Sequence, residues 1–337
     1  MIEQVDLLRA QELDAFVCAH PKGHFMQTSR WGRVKRDWQW QGLICRDAQG
    51  AIRGTMALLF HKVHLFSTGL LYCPRGPIYD DPATFRELIE GAQAYGKTLG
   101  AYLLRLDPMV PEQDADFARL VRSMGFSIAA AEDFSLFQPR LCYVADLTGL
   151  TEETLTEHWH ASTRRNLHLA QRSALTLRMG TVDDLPAFCR LMQITAHKNG
   201  FTPRSEAYFR DFLTGLGDAA RLYLVCMDGE VTAAAMTVTL AKRCWYMYSC
   251  SEPTFLKERP NELLQWAMQR DALRAGCTCF DFRGVEGRPV EDNPFIGLHH
   301  YKQGFGAEFC AYIGQLDLPL RPCMKRLAEA YAYLRGA

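Results

Sequence analysis

No apolar run in this chain of 337 residues approaches the roughly 20 that a membrane-crossing helix needs. Stretches such as MALLF at 56 to 60 are among the longest. Neither sign of charge is in excess: 38 Lys and Arg stand against 38 Asp and Glu, so any grip on a polyanion must come from local clusters and not from a general field. The twelve cysteines contain no C-x-x-C, and the one close pair, Cys277 and Cys279, has no histidine in zinc spacing. Free, mostly buried thiols are expected, and no metal. The dinucleotide pattern G-x-G-x-x-G and the Walker A pattern are both missing, and RGVEGRP lacks the strand-to-helix setting they require. Segments QAYGK (93 to 97) and RSMG (122 to 125) fall at the ends of helices leading into strands. A pyrophosphate loop must instead lead into a helix N-terminus.

What is present reads as an ordinary globular protein, 48% hydrophobic and 23% charged, too long for one core and so expected to hold two domains. The start, MIEQVDLLRAQELD, carries acids where a signal peptide would be apolar, which predicts a cytoplasmic location. Residues 5 to 19 and 28 to 37 have helical spacing, so two helices are expected to open the chain. A hairpin around DAQG follows, then irregular GLLYCPRGPIYDD, a helix ending at Gly100, the strand AYLLRLD and the helix EQDADFARLVRSMGF.

A second unit repeats this order. Helical stretches at 160 to 173, 182 to 198 and 204 to 215 precede a hairpin turning at Asp228-Gly229 and the strand CWYMYSC. A helix then stops at Gly276 before CTCFDF, as the earlier one stops at Gly100 before AYLLRLD, and a Gly-Phe pair follows in each half. The pattern predicts two copies of one α/β (α+β) fold with mixed sheets: residues 1 to 144 with 317 to 337, and residues 145 to 316, a last helix near 321 to 335 returning to the first copy.

Several residues carry either a structural or a chemical reading. QTSRWGRVKRDWQW packs three tryptophans beside cations; it is an exposed amphipathic helix, or Lys35 and Trp38 offer a point charge and a stacking face to a phosphate and its nucleoside. Asp107 ends a strand before Pro108, closing a turn or sitting where ligands of open sheets bind. Arg204 opens a helix, solvated or forked onto phosphate oxygens. Tyr248 stands near a strand end, in the core or facing a ligand. Arg164, Arg165, Lys257 and Arg259 form local basic clusters of the kind RNA attracts. In HHYKQGFGAEFCAYIG, Lys302 stands among aromatics and glycines, either solvated beside a glycine-rich turn or held against a reacting group.

The succession Q-x-x-x-W-x-x-V-K (27 to 35), LRLDP (104 to 108), TRRN with Ala170, Y-x-x-S (248 to 251), NELLQW (261 to 266), F-D-F-x-G (280 to 284) and N-P…G-L…Y-K-x-G-F-G-x-E…Y-x-G (293 to 314) resembles the Fem family of peptidoglycan peptidyltransferases across almost the whole chain. Ser249, Ala307 and Tyr301 stand where the family commonly has glycine, glycine and phenylalanine. The resemblance implies two acetyltransferase-like (GNAT-like) domains without the long helical hairpin of some members. It implies transfer of an amino acid from aminoacyl-tRNA, with no other cofactor, to the stem peptide of a UDP-linked or lipid-linked muramyl pentapeptide. The work would be done in the cytoplasm, up to the inner membrane face, without stable membrane insertion. Carried over by motif, Lys35, Trp38, Tyr102, Arg204, Tyr248 and Tyr301 would bind the precursor, with Arg210 as an alternative to Arg204. Lys302 would meet the oxyanion of acyl transfer, and Asp107 would orient or deprotonate the attacking amine. Two rival readings are another N-acyltransferase of the same fold, using acyl-CoA or aminoacyl-tRNA on a protein, and a module that binds precursor or tRNA without transfer.

Overall fold

The computed structural model describes residues 1–63 and 68–327, and the chain divides into two compact units, Met1–Arg140 with the segment from Ala311 on, and Leu141–Cys310. The sequence reading set these limits at 144 and 316. Most of the expected C-terminal helix falls on 328–337, outside the described residues.

In the first unit the order is β1 (Ile2–Val5), α1 (Gln11–Ala19), α2 (Ser29–Val34), β2 (Gln39–Arg46), β3 (Ile52–Val63), β4 (Thr68–Cys73), β5 (Ile78–Tyr79), α3 (Pro82–Thr98), β6 (Ala101–Leu106), α4 (Ala115–Ser123) and β7 (Ser127–Ala129). Only half of the expected 5 to 19 helix is helical. Residues 2 to 5 pair with β2 instead, Ile2 opposite Cys45, and the Asp6 carboxylate accepts the N–H groups of Leu8 and Arg9 in a turn that delays the helix. The sheet runs β1-β2-β3-β4-β6, and β4 and β6 are parallel. Their connection is α3. Asp81 caps it by accepting the Thr84 N–H at 2.9 Å, Pro82 opens it, and Gly100, at φ +67°, ends it. Phe85, Leu88, Ile89 and Ala92, at helical spacing, lie against Leu58, Leu71 and Leu104 of the sheet, all buried. Each such leucine or phenylalanine contributes about 1.5 to 3 kcal/mol on burial.

The second unit runs β8 (Leu141–Asp146), α5 (Ala161–Arg172), β9 (Thr176–Gly180), α6 (Leu185–Asn199), α7 (Glu206–Leu216), β10 (Ala220–Met227), β11 (Glu230–Leu240), β12 (Arg243–Ser251), α8 (Pro260–Arg274), β13 (Cys279–Gly284), α9 (Ile296–Gly304) and β14 (Glu308–Ala311). Its sheet has the order β14-β8-β13-β12-β11-β10-β9. Again one pair is parallel, β12 with β13, and again a helix stopped by glycine joins them: α8, then Gly276 at φ +76°. The two parallel pairs, β4/β6 and β12/β13, occupy the same place in the two halves, which is the repeat that the glycine stops announce. A final strand, β15 (Gln315–Pro319), returns to the first sheet between β6 and β7, Leu316 opposite Leu106. Among the described residues no helix is long and apolar enough to cross a membrane.

Candidate functional site

Lys302 lies in α9 and not in a turn, and it is 4% exposed. Its ammonium reaches back to the end of β13 and donates to three consecutive carbonyl oxygens: Phe282 at 2.8 Å, Arg283 at 3.1 Å and Gly284 at 2.6 Å. Three carbonyls in a row meet one point because β13 is irregular there. Asp281 pairs with Val144 and Arg283 with Tyr143, which leaves Phe282 as an extra residue, and Arg283 takes φ +62°. The buried Asp281 carboxylate fixes this turn by accepting the Arg283 N–H at 2.8 Å. Burial lowers the Lys302 pKa to about 8, the nearby Arg283 charge adding to the effect while Asp281 opposes it. The group therefore stays largely cationic at neutral pH.

A second bulge arranges the tyrosines of β12. Met236 pairs with Tyr248 and Thr237 with Tyr246, so the extra residue between them turns the two side chains to opposite faces of the strand. Tyr246 meets Phe282, whereas Tyr248 packs edge-on to Phe209 and Phe212 of α7, and its hydroxyl lies 3.0 Å from that of Tyr208. The Arg204 guanidinium sits 5.5 Å from the centre of the Tyr208 ring. Burial raises the pKa of both hydroxyls, opposed by the charges of Arg204 and Arg283. Arg210, the alternative to Arg204, is instead joined to Glu206 on an exposed surface. Tyr301 packs edge-on to Phe305 at 5.0 Å, and Phe305 in turn lies on Phe282. Within this unit, Arg204 and Tyr248 thus form one cluster, and Lys302 is tied to it through Arg283.

In the first unit, Trp31 and Val34 are buried and Lys35 is half-buried at the end of α2, its ammonium 5.2 Å from the Trp31 ring centre. The Lys35 carbonyl accepts the Trp38 N–H, and the Trp38 ring meets His61 at 4.8 Å and Tyr72 at 6.2 Å. The Tyr72 hydroxyl donates to Asp107 at 2.5 Å, and the Arg75 N–H donates to the other oxygen of the same carboxylate at 2.6 Å. Trp38 and Asp107 are therefore linked through Tyr72. Tyr102 is not part of this chain of contacts: it is the extra residue of a bulge near the start of β6, five residues from Asp107 and so about 16 Å away along the strand.

A cavity of about 560 Å³ lies elsewhere in the second unit, lined among others by Asp146, His158, Cys279, Glu308 and Cys310. None of the residues singled out from the sequence lines it. The described residues include no cluster of His, Cys, Asp and Glu that could hold a metal ion.

Sequence reasoning missed Tyr72, Tyr208 and Arg283. For Tyr72 a signal existed: it ends the strand that runs parallel to AYLLRLD, and adjacent parallel strand ends are where open sheets bind ligands. Arg283 carried none, since its conformation depends on the bulge.

Comparison with known proteins agrees with this architecture. The FemAB family model matches residues 8–231, and an acetyltransferase (GNAT) domain model matches residues 160–303. The lipid II:glycine glycyltransferase of Staphylococcus saprophyticus is 25% identical over 390 residues, covering 95% of this chain and 94% of the relative. That of Staphylococcus aureus strain USA300 is 24% identical, covering 95% and 93%. Among solved structures, FemX superposes with a TM-score of 0.88 at 22% identity, over 96% of this chain and 99% of that one. A tandem GNAT protein from the clavulanic acid pathway gives 0.56 at 13% identity, over 95% and 99%. The fold is accordingly two acetyltransferase-like domains in tandem, and the chain belongs to the FemAB family.

Proposed function

We propose that this FemAB-family transferase moves an amino acid from aminoacyl-tRNA to an amine on the stem peptide of a UDP-linked or lipid-linked muramyl pentapeptide. The observation that carries the reading is the near-full-length likeness to lipid II:glycine glycyltransferases. In the reaction the amine nitrogen bonds to the ester carbonyl carbon, the ester C–O bond breaks, and the amine proton passes to the leaving ribose oxygen, relayed by the neighbouring ribose hydroxyl. The tetrahedral intermediate carries an oxyanion, and an oriented cation stabilises it without a covalent intermediate on the protein.

Lys302 is assigned that charge. Its three N–H groups are already donated, so an oxyanion gains a direct bond by displacing one carbonyl, and the longest of the three, at Arg283, yields most easily. Asp107 is assigned to orienting the amine, using lone pairs beyond those that accept from Tyr72 and Arg75. Lys35, Trp38 and Tyr102 in the first unit, and Arg204, Tyr248 and Tyr301 in the second, are assigned to the precursor.

The donor follows from what connects β12 to α8. Where acyl-CoA binding would call for a glycine-rich phosphate loop opening into the helix, this chain has a 3-10 turn over Pro253–Glu258 and Pro260 at the helix start. A donor comparison tests the reading: with labelled aminoacyl-tRNA the acceptor should gain label, and with labelled acetyl-CoA it should not. Label from acetyl-CoA alone would overturn it.

A further inference from the structure

Arg283 has no part in the assignments above, yet its backbone is held in a conformation that L-residues seldom adopt, φ +62°. Glycine would take that conformation without steric cost, and an unbranched ladder would avoid it. Instead the position keeps a long cationic side chain, half-buried, and two buried charged groups are spent on fixing its backbone: Asp281 on its N–H and Lys302 on its carbonyl. Such a fixed outlier points from geometry to function. Its charge bears on the same two hydroxyls, Tyr208 and Tyr248, that the Arg204 charge bears on. Two guanidinium groups on one tyrosine pair make a fork-lined place for phosphate oxygens, which arginine binds in bidentate geometry.

We propose that Arg283 is a second anion-binding residue beside Arg204, contacting the diphosphate of the nucleotide-linked precursor, an assignment that rests on the precursor reading above. Lys302 and Asp281 act on it as positioning residues, since they set the turn that aims it.

Calorimetry with inorganic pyrophosphate and with UDP-linked muramyl pentapeptide tests this on the wild type, Arg283→Gly and Arg283→Lys. Glycine keeps the left-handed turn and removes only the guanidinium, so Arg283→Gly should unfold at the same or a higher denaturant concentration. It should bind both ligands at least about tenfold more weakly, the lysine variant recovering part of the loss, while affinity for a tRNA acceptor-stem RNA stays unchanged. Unchanged affinity for both ligands in folded Arg283→Gly overturns the proposal and leaves the precursor reading intact. A loss confined to the RNA overturns the assignment to the diphosphate. Pyrophosphate binding that depends on Arg283, in a protein that takes no precursor, supports the anion site and overturns its assignment to the precursor.

Discussion

The ammonium of Lys302 lies 2.6 Å from the carbonyl oxygen of Gly284, eighteen residues earlier in the chain, and so ties α9 to the bulged end of β13. Two further carbonyls share the same ammonium, so the residue is at once a buried charge and a structural pin. Lys302→Met should therefore lower the unfolding free energy by about 2 to 4 kcal/mol, since three buried carbonyls lose their donor. Lys302→Arg should recover little, because a planar fork cannot meet three oxygens around one point. Urea titration measures both; a change of a few tenths of a kcal/mol would mean that the bonds carry no weight.

Protonation of Lys302 gives a second expectation. Its folded pKa of about 8 lies below the roughly 10.4 of an unfolded lysine. Below pH 8 both states hold the proton and the burial penalty is fully felt. Between about 8 and 10.4 the unfolded chain binds more protons, so the stability contributed by this group rises with pH. Buried tyrosines such as Tyr143 and Tyr246, pushed up to about 12, act in the opposite sense above pH 10. The informative quantity is thus the wild-type stability minus that of Lys302→Met, which should increase from pH 8 to 10. A flat difference contradicts the shifted lysine. If the ammonium also meets the oxyanion, the single-turnover transfer rate should fall as the pH passes 8.

Much of the fold was legible because its cues are local. Gly100 and Gly276 stop their helices by taking left-handed conformations, and Asp228-Gly229 turns a hairpin, and each of these is written in two or three adjacent residues. Strand β1 was not legible: four residues pair with β2 only because a partner some forty positions away offers its edge. The site divides the same way. Lys302, Asp107 and Arg204 stood out by type and motif, whereas the burial of Lys302 and the aim of Arg283 depend on a single extra residue in β13.

Tyr72 makes a prediction in the first unit. Its hydroxyl is one of two donors to the buried Asp107 carboxylate, so Tyr72→Phe should cost about 1 to 3 kcal/mol of stability. Asp107→Asn in the same background should restore part of that, since the neutral amide needs less compensation. Equal urea midpoints for wild type and Tyr72→Phe would show that the bond is not formed.

Lys35 addresses the precursor. Replacing it by Met should weaken binding of the UDP-linked muramyl pentapeptide by about 1 to 3 kcal/mol, the range for a charge-assisted contact, with aminoacyl-tRNA affinity nearly unchanged. Calorimetry giving equal precursor affinities would remove Lys35 from the site.

The most direct measurement of the central claim is the mass of the acceptor. The purified protein is incubated with pooled aminoacyl-tRNA and the muramyl pentapeptide, in UDP-linked and lipid-linked forms, and each product is weighed. Amino-acid transfer predicts a gain of one amino-acid residue, present only when both substrates and the protein are together, and lost when the tRNA is deacylated. No mass gain on either acceptor with any charged tRNA, from protein that binds both substrates, would contradict it.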